Sequence, residues 1–146
     1  MADTPARGAP ADISARKVDV VAAVLERDGR YLLGKRNTHK KAAGYWCPVC
    51  GRVEAGEPQA DAVVREVREE TGLAVRAVAK VAECDTHDGK AVMHWWRVQP
   101  LDDAPARLAN DEHTELGWFS LDEMQRLTPV FVEDVAIFER VSATRK

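Results

Sequence analysis

Apolar residues fall along this chain in short bursts, some spaced as in a strand and some as in a helix. Residues 18–25, VDVVAAVL, form an apolar run bounded by charge and predict a buried strand. Asp28-Gly29 then gives a hairpin signal, and residues 30–36, RYLLGKR, read as the returning strand. Residues 37–44, NTHKKAAG, make a polar loop, and residues 45–49, YWCPV, lead out of it. Residues 74–84 alternate irregularly and read as a strand. Residues 85–90, DTHDGK, turn the chain, and residues 91–98, AVMHWWRV, predict another strand. Helical spacing appears at Ala62, Val63 and Val67, and again at Phe131, Val135 and Phe138 in a terminal helix. Between the two, an acidic stretch over residues 110–115 precedes a short strand at 116–119. Ser120-Leu121-Asp122-Glu123 is a capping box that opens a short helix, and Pro129 ends it.

The first helix lies in the stretch that organises the chain, residues 51–73, GRVEAGEPQADAVVREVREETGL. Pro58 suits the first helical position, where a missing N–H costs nothing. Gly72 suits the left-handed position that closes the last turn. Opposite the apolar stripe stand Glu66, Glu69 and Glu70, at i, i+3 and i+4. Like charges at that spacing repel and cost helix stability. A hard divalent cation would compensate, since Mg²⁺ takes oxygen ligands from a few carboxylates and from substrate phosphates. The alternative is a solvated acidic face partnered by Arg65 and Arg68.

The full spacing separates the two. Gly51, five residues, Glu57, seven residues, then Arg65-Glu66-Val67-Arg68-Glu69-Glu70-Thr71-Gly72-Leu73 resembles the Nudix box, Gx5Ex7REUxEExGU with U aliphatic, at every fixed position. The resemblance implies an α/β/α sandwich with a mixed β-sheet. It also implies cleavage of a nucleoside diphosphate linked to another moiety, with Mg²⁺ or Mn²⁺ held by Glu66, Glu69 and Glu70. Glu66 is then the first choice for the general base. Glu112, chosen by its offset before Trp118, is the alternative base or a further metal ligand, with Asp111 and Glu115 as rivals. Glu57 orients the helix carboxylates or reaches a second metal through water. Arg65 pairs with a box glutamate and holds its rotamer. Many Nudix proteins carry Pro-Gly-Gly where this chain has Val49-Cys50-Gly51, so the Cys50 backbone carbonyl takes the place of a glycine carbonyl as a metal ligand.

Other residues enter as substrate contacts. Lys35 and Arg36 leave a strand end either towards phosphate, Arg36 with the better-suited planar fork, or as two solvated basic residues. Trp95 and Trp96 are neighbours on one strand and face opposite sides of the sheet, so at most one can stack on a base while the other packs the core; the alternative is that both are structural. Cys47-Pro48-Val49-Cys50 is a C-x-x-C, but no second pair follows to complete a zinc module.

Composition narrows the setting. The net charge of -3 argues against general nucleic-acid binding, and no apolar run approaches a membrane helix. Three cysteines with no signal-peptide core fit reduced thiols in a cytoplasm. Residues 1–15, rich in Ala, Pro, Asp and Gly, read as a flexible arm, and residues 16–146 as one domain. A homodimer is a possible assembly. By elimination the small-molecule substrate is a (deoxy)nucleoside triphosphate. The proline typical of ADP-ribose pyrophosphatases and the downstream tyrosine of dinucleoside polyphosphate hydrolases are missing. Alternatives are a nucleotide-sugar or dinucleoside polyphosphate pyrophosphatase, and a non-catalytic Nudix binding module. A further one is an isopentenyl-diphosphate isomerase-like enzyme using Cys50, although Arg52 stands where those isomerases have histidine.

Overall fold

The computed structural model describes residues 17–144, so the arm expected over residues 1–15 lies outside the described residues. In chain order the elements are β1 (Val18–Arg27), β2 (Arg30–Arg36), β3 (Trp46–Cys47), β4 (Cys50–Arg52), α1 (Gln59–Thr71), β5 (Val75–Asp85), β6 (Ala91–Pro100), β7 (His113–Phe119), α2 (Leu121–Gln125) and α3 (Val132–Thr144). The apolar run becomes β1 and sits at the centre of the sheet. It pairs parallel with β6, antiparallel with β4, and by its last residues with β2. β5 flanks β6, while β3 and β7 lie on either side of β2. The sheet is therefore mixed.

The two faces of β1 build two cores. Val21, Ala23 and Leu25 face α1 and pack with Val63, Val67 and Leu73. Ala22 and Val24 face the other way and pack with Trp95, Met124 and Phe138 beneath α2 and α3. A strand buried on both faces has no polar positions to alternate, which is why VVAAVL reads as a continuous run. Helices on both sides of one sheet make the α/β/α sandwich.

Local signals place most of the connections. Asp28 and Gly29 have φ of 54° and 79°, the paired left-handed turn that matches hairpin twist. Gly72 has φ 75° and donates its N–H to Arg68 O, ending α1 as its position suggests. Ser120 and Glu123 complete both halves of the capping box. Among the described residues no helix is long and apolar enough to cross a membrane.

Several expectations shift. Pro58 is the residue before the first turn, at ψ 146°, with its carbonyl accepting from Ala62 N at 3.0 Å. β7 begins at His113 rather than Leu116, because pairing with β2 recruits His113 and Glu115 opposite Arg36 and Lys35. No apolar alternation marks those residues. β3 and β4 are too short to show a period. Phe131 stands just ahead of α3 and stacks on Tyr45 at 4.5 Å instead of joining the Val135–Phe138 face.

Trp95 and Trp96 do face opposite sides, and Trp95 is the one that packs the core. Trp95 is fully buried, set edge-on to Phe138 at 5.6 Å, and donates Nε1–H to Cys84 Sγ. It offers no face to a base. Trp96 packs on the α1 side and donates its Nε1–H to Gln59 Oε1 at 3.0 Å. Trp95→Ala should thus cost about 3–5 kcal/mol of stability in urea unfolding, and leave KM of the remaining folded enzyme unchanged. A raised KM at unchanged stability would return Trp95 to the binding site.

Candidate active site

The apolar stripe of α1 lies on the sheet, so Glu66, Glu69 and Glu70 have no freedom to turn away from one another. Glu66 lies directly over Gly51 of β4. A Cβ at Gly51 would stand 2.1 Å from Glu66 Cδ, so only glycine lets the carboxylate approach the strand. Arg65 stands among the acids. Its Nε and Nη2 donate to the two oxygens of Glu57 at 2.8 and 2.9 Å, and Nη2 also reaches the Arg52 carbonyl at 3.0 Å. Its Nη1 donates to Glu66 Oε2 at 2.9 Å and to Glu69 Oε1 at 3.2 Å. Glu57 also accepts from the Glu54 N–H at 3.0 Å, so the turn, the arginine and the helix are tied together.

Glu70 points inward. Its side chain is 1% exposed, and Oε1 lies 2.8 Å from Nε2 of His113, itself 2% exposed. No donor reaches Oε2. On the solvent side a cleft of about 730 Å³ is lined by Gly51, Arg52, Arg65, Glu66, Glu69, Lys40 and Glu112, among others. Lys40 and Glu112 form an ion pair across its wall. Asn37 supports that wall, taking the Glu112 carbonyl with its N–H at 3.0 Å and the Asp111 carbonyl with Nδ2 at 2.8 Å.

The fold thus brings Glu66, Glu69, Arg65 and Glu112 to one cleft, with Glu57 behind Arg65 and Glu70 beneath. Cys50 precedes Gly51 in β4 and packs against the α3-side core. Lys35 and Arg36 do not line the cleft. Lys35 pairs with Glu115 at 3.6 Å, and Arg36 Nε donates to Lys41 O at 2.6 Å. Among the described residues the cations that do line it besides Arg65 are Lys40 and Arg52, which local sequence does not mark as site residues. Arg52 was marked only by following the box glycine. Lys40 carries no local signal, and neither does His113, which reaches Glu70 from 43 residues away.

The donor set suits a hard divalent cation. Every candidate ligand side chain is a carboxylate, and Glu70 Oε2 is a buried acceptor without a donor. As the side chains stand, Arg65 holds Glu66 and Glu69, and among the described residues no three acidic, histidine or cysteine side chains converge on one point. Cation binding would therefore draw Glu66 and Glu69 away from the guanidinium.

Known proteins share this fold. The NUDIX domain family model matches residues 15–141. The chain is 35% identical over 132 residues to a CTP pyrophosphohydrolase of Escherichia coli K12, covering 89% of this chain and 95% of that one. A MutT protein from Methanosarcina mazei superposes with a TM-score of 0.78 at 23% identity, covering 92% and 99% of the two chains. An ADP-ribose pyrophosphatase from Streptococcus suis superposes at 0.70 and 26% identity, covering 87% and 92%.

Titration follows from the same contacts. The Arg65 hydrogen bonds hold the Glu57 carboxyl down at about 2. Burial, then the neighbouring Glu70 carboxylate, pushes Glu66 up to about 8. Burial likewise pushes Glu70 up to about 8, and Asp134 at the start of α3 up to about 7. A carboxyl whose folded pKa exceeds its unfolded value favours folding only while protonated, and that contribution fades as pH rises through the folded value. Burial also keeps His113 below its usual 6.5, so above that pH it is neutral in both states. Metal-free protein should therefore lose thermal stability between about pH 6.5 and 8.5. Melts in chelator across this range check it. Glu66→Gln with Glu70→Gln should flatten the slope, and an unchanged slope in that double variant would refute the assignment.

Proposed function

The chain belongs to the NUDIX family of hydrolases, which act on nucleoside diphosphate derivatives, and from that premise we propose that it hydrolyses (deoxy)nucleoside triphosphates to a monophosphate and pyrophosphate with Mg²⁺, or Mn²⁺ in its place. The observation that carries this reading is the carboxylate cluster of α1 opening on a cleft whose rim holds Lys40 and Arg52. A triphosphate needs cationic charge on its outer oxygens and a cation at the scissile linkage. The rim side chains and the acid cluster meet those two needs separately. The relative named CTP pyrophosphohydrolase, matched over nearly its whole length, supports a triphosphate substrate.

In this reading Glu66, Glu69 and Glu70 hold the cation, with the Cys50 carbonyl and Glu112 as further oxygen donors. When bound, the cation would neutralise phosphate oxygens and acidify the attacking water. Glu66 accepts the water's proton, and Glu112 is the alternative base on the opposite wall. The water oxygen forms the new bond to phosphorus as the bridging P–O bond breaks, and pyrophosphate leaves. Arg65 keeps Glu57, Glu66 and Glu69 in register, and Lys40 and Arg52 take the outer phosphates. A reduced, cytoplasmic setting and a small-molecule substrate without nucleic acid belong to the same reading.

A panel of nucleoside triphosphates, nucleotide sugars and dinucleotides with Mg²⁺, analysed for products, tests it. Monophosphate with pyrophosphate should appear from triphosphates. Glu69→Gln and Glu70→Gln should each cut kcat by orders of magnitude with the fold intact. Near-wild-type turnover in both at saturating Mg²⁺ would sink the metal assignment. Faster cleavage of ADP-ribose than of any triphosphate would move the substrate towards the class named for the Streptococcus suis neighbour.

Cys50 decides the isomerase alternative. Burial pushes its thiol well above the ordinary range, with Glu70 and Cys47 adding to the shift and Arg36 opposing it only in part, which disfavours the thiolate. Cys50→Ala should keep most of the hydrolase activity. Loss of all turnover, together with isomerisation of isopentenyl diphosphate by the wild type, would overturn the hydrolase reading.

A further inference from the structure

Glu70 is anchored in a way no other acid of the helix is. Glu66 and Glu69 share the Arg65 guanidinium on the cleft side, but Glu70 meets a single ring on the interior side. Its two oxygens are in different situations: Oε1 is taken by His113 Nε2 at 2.8 Å, and Oε2 has no donor. When Glu70 is ionised, as a metal ligand must be, it only accepts, and the imidazole then donates from Nε2.

Three features make this contact a built one. Both side chains are almost wholly buried, at 1% and 2% exposure. The ring lies against β2 at Gly34, where a Cβ would stand 2.4 Å from His113 Nδ1, so that strand keeps room for it. The segment leading to His113 is strapped to the end of α1, since Arg107 N donates to Thr71 O at 3.0 Å and Ala109 N to Glu70 O at 3.1 Å. The backbone and the side chain of Glu70 are thus both held by the chain between residues 107 and 113.

We propose that His113 is a positioning residue for the cation site: it clamps Glu70 Oε1 so that Oε2 is presented to the cation without a search. The proposal rests on the reading of Glu70 as a metal ligand. Glutamate has three rotatable bonds, and freezing them on binding costs affinity. His113 freezes them on folding instead. Hydrogen-bonded partners of metal ligands are typically worth about 10–100-fold in metal affinity.

Length of reach separates positioning from filling space. The amide nitrogen of glutamine extends about as far as histidine Nε2, whereas that of asparagine stops near Nδ1. Equilibrium binding of Mn²⁺ to the resting protein, without nucleotide, is followed by electron paramagnetic resonance for wild type, His113→Gln and His113→Asn. The glutamine variant should bind within about threefold of wild type, and the asparagine variant about 10–100-fold more weakly. Equal affinity in all three, or equal loss in both variants, would overturn the role of His113. If either variant fails to fold, ring-nitrogen NMR of the wild type takes its place. On saturation with Mg²⁺ Nε2 should shift and carry the proton, and an Nε2 that does not shift, or is unprotonated in the Mg²⁺-bound state, would overturn the proposal. Wild-type protein that binds no Mn²⁺ overturns the metal reading itself and His113 with it, an outcome distinct from the others.

Discussion

Three glutamates on one helix face repel, and the site depends on how that repulsion is held in check. Arg65 takes Glu57, Glu66 and Glu69 on one guanidinium and adds the Arg52 carbonyl, so a single side chain ties the turn, β4 and α1 together. The planar fork makes this feasible, because five donors in fixed geometry can serve several acceptors at once. A lysine would balance charge without fixing directions. Glu70 lies outside this arrangement and is answered by His113 from the interior. The two solutions differ in solvent access: Arg65 contacts acids that face the cleft, and His113 holds the one that does not.

The sheet supplies the platform on which this works. β1 buries both faces, so α1 cannot shift without disturbing Val21, Ala23 and Leu25, and those are shared with β6 across a parallel ladder. β4 is only Cys50–Arg52, but it pairs with β1 through Val20, Val21 and Ala22 and thereby sets Gly51 under Glu66. β2 does the same for the second contact, with Gly34 under the His113 ring. In both places the absent side chain of one strand makes room for a functional side chain of another element. The second core, built on Trp95 and Phe138, contributes no group to the cleft; it covers the opposite face of the sheet.

Charge on the cleft is divided by element. The acids come from the β4–α1 turn, from α1 and from the segment before β7, and the cations besides Arg65 from the β2–β3 loop and β4. Lys40 and Glu112 bring the two walls into contact. Lys35 pairs with Glu115 across the β2–β7 ladder, while Arg36 Nε is held by the Lys41 carbonyl within its own loop.

Much of this was legible from local order alone. Helix limits at Pro58 and Gly72, the Asp28-Gly29 turn, the capping box at Ser120 and the common face of Glu66, Glu69 and Glu70 all follow from spacings within a few residues, where backbone geometry alone relates one position to the next. The opposite facing of Trp95 and Trp96 follows from the same rule, since successive strand residues alternate. Which of the two was sealed depended on where α3 packs, and that is not a local quantity. The same holds for His113, Lys40 and Arg52. Each acquires its role from a partner on another strand or helix, and a side chain without periodic neighbours leaves no trace of such a partner in the sequence. Sequence by itself determined the ligand-bearing helix, because one helix carries all of its own spacing. Tertiary structure decided what clamps it and what faces it, because those contacts join segments that only the sheet brings together.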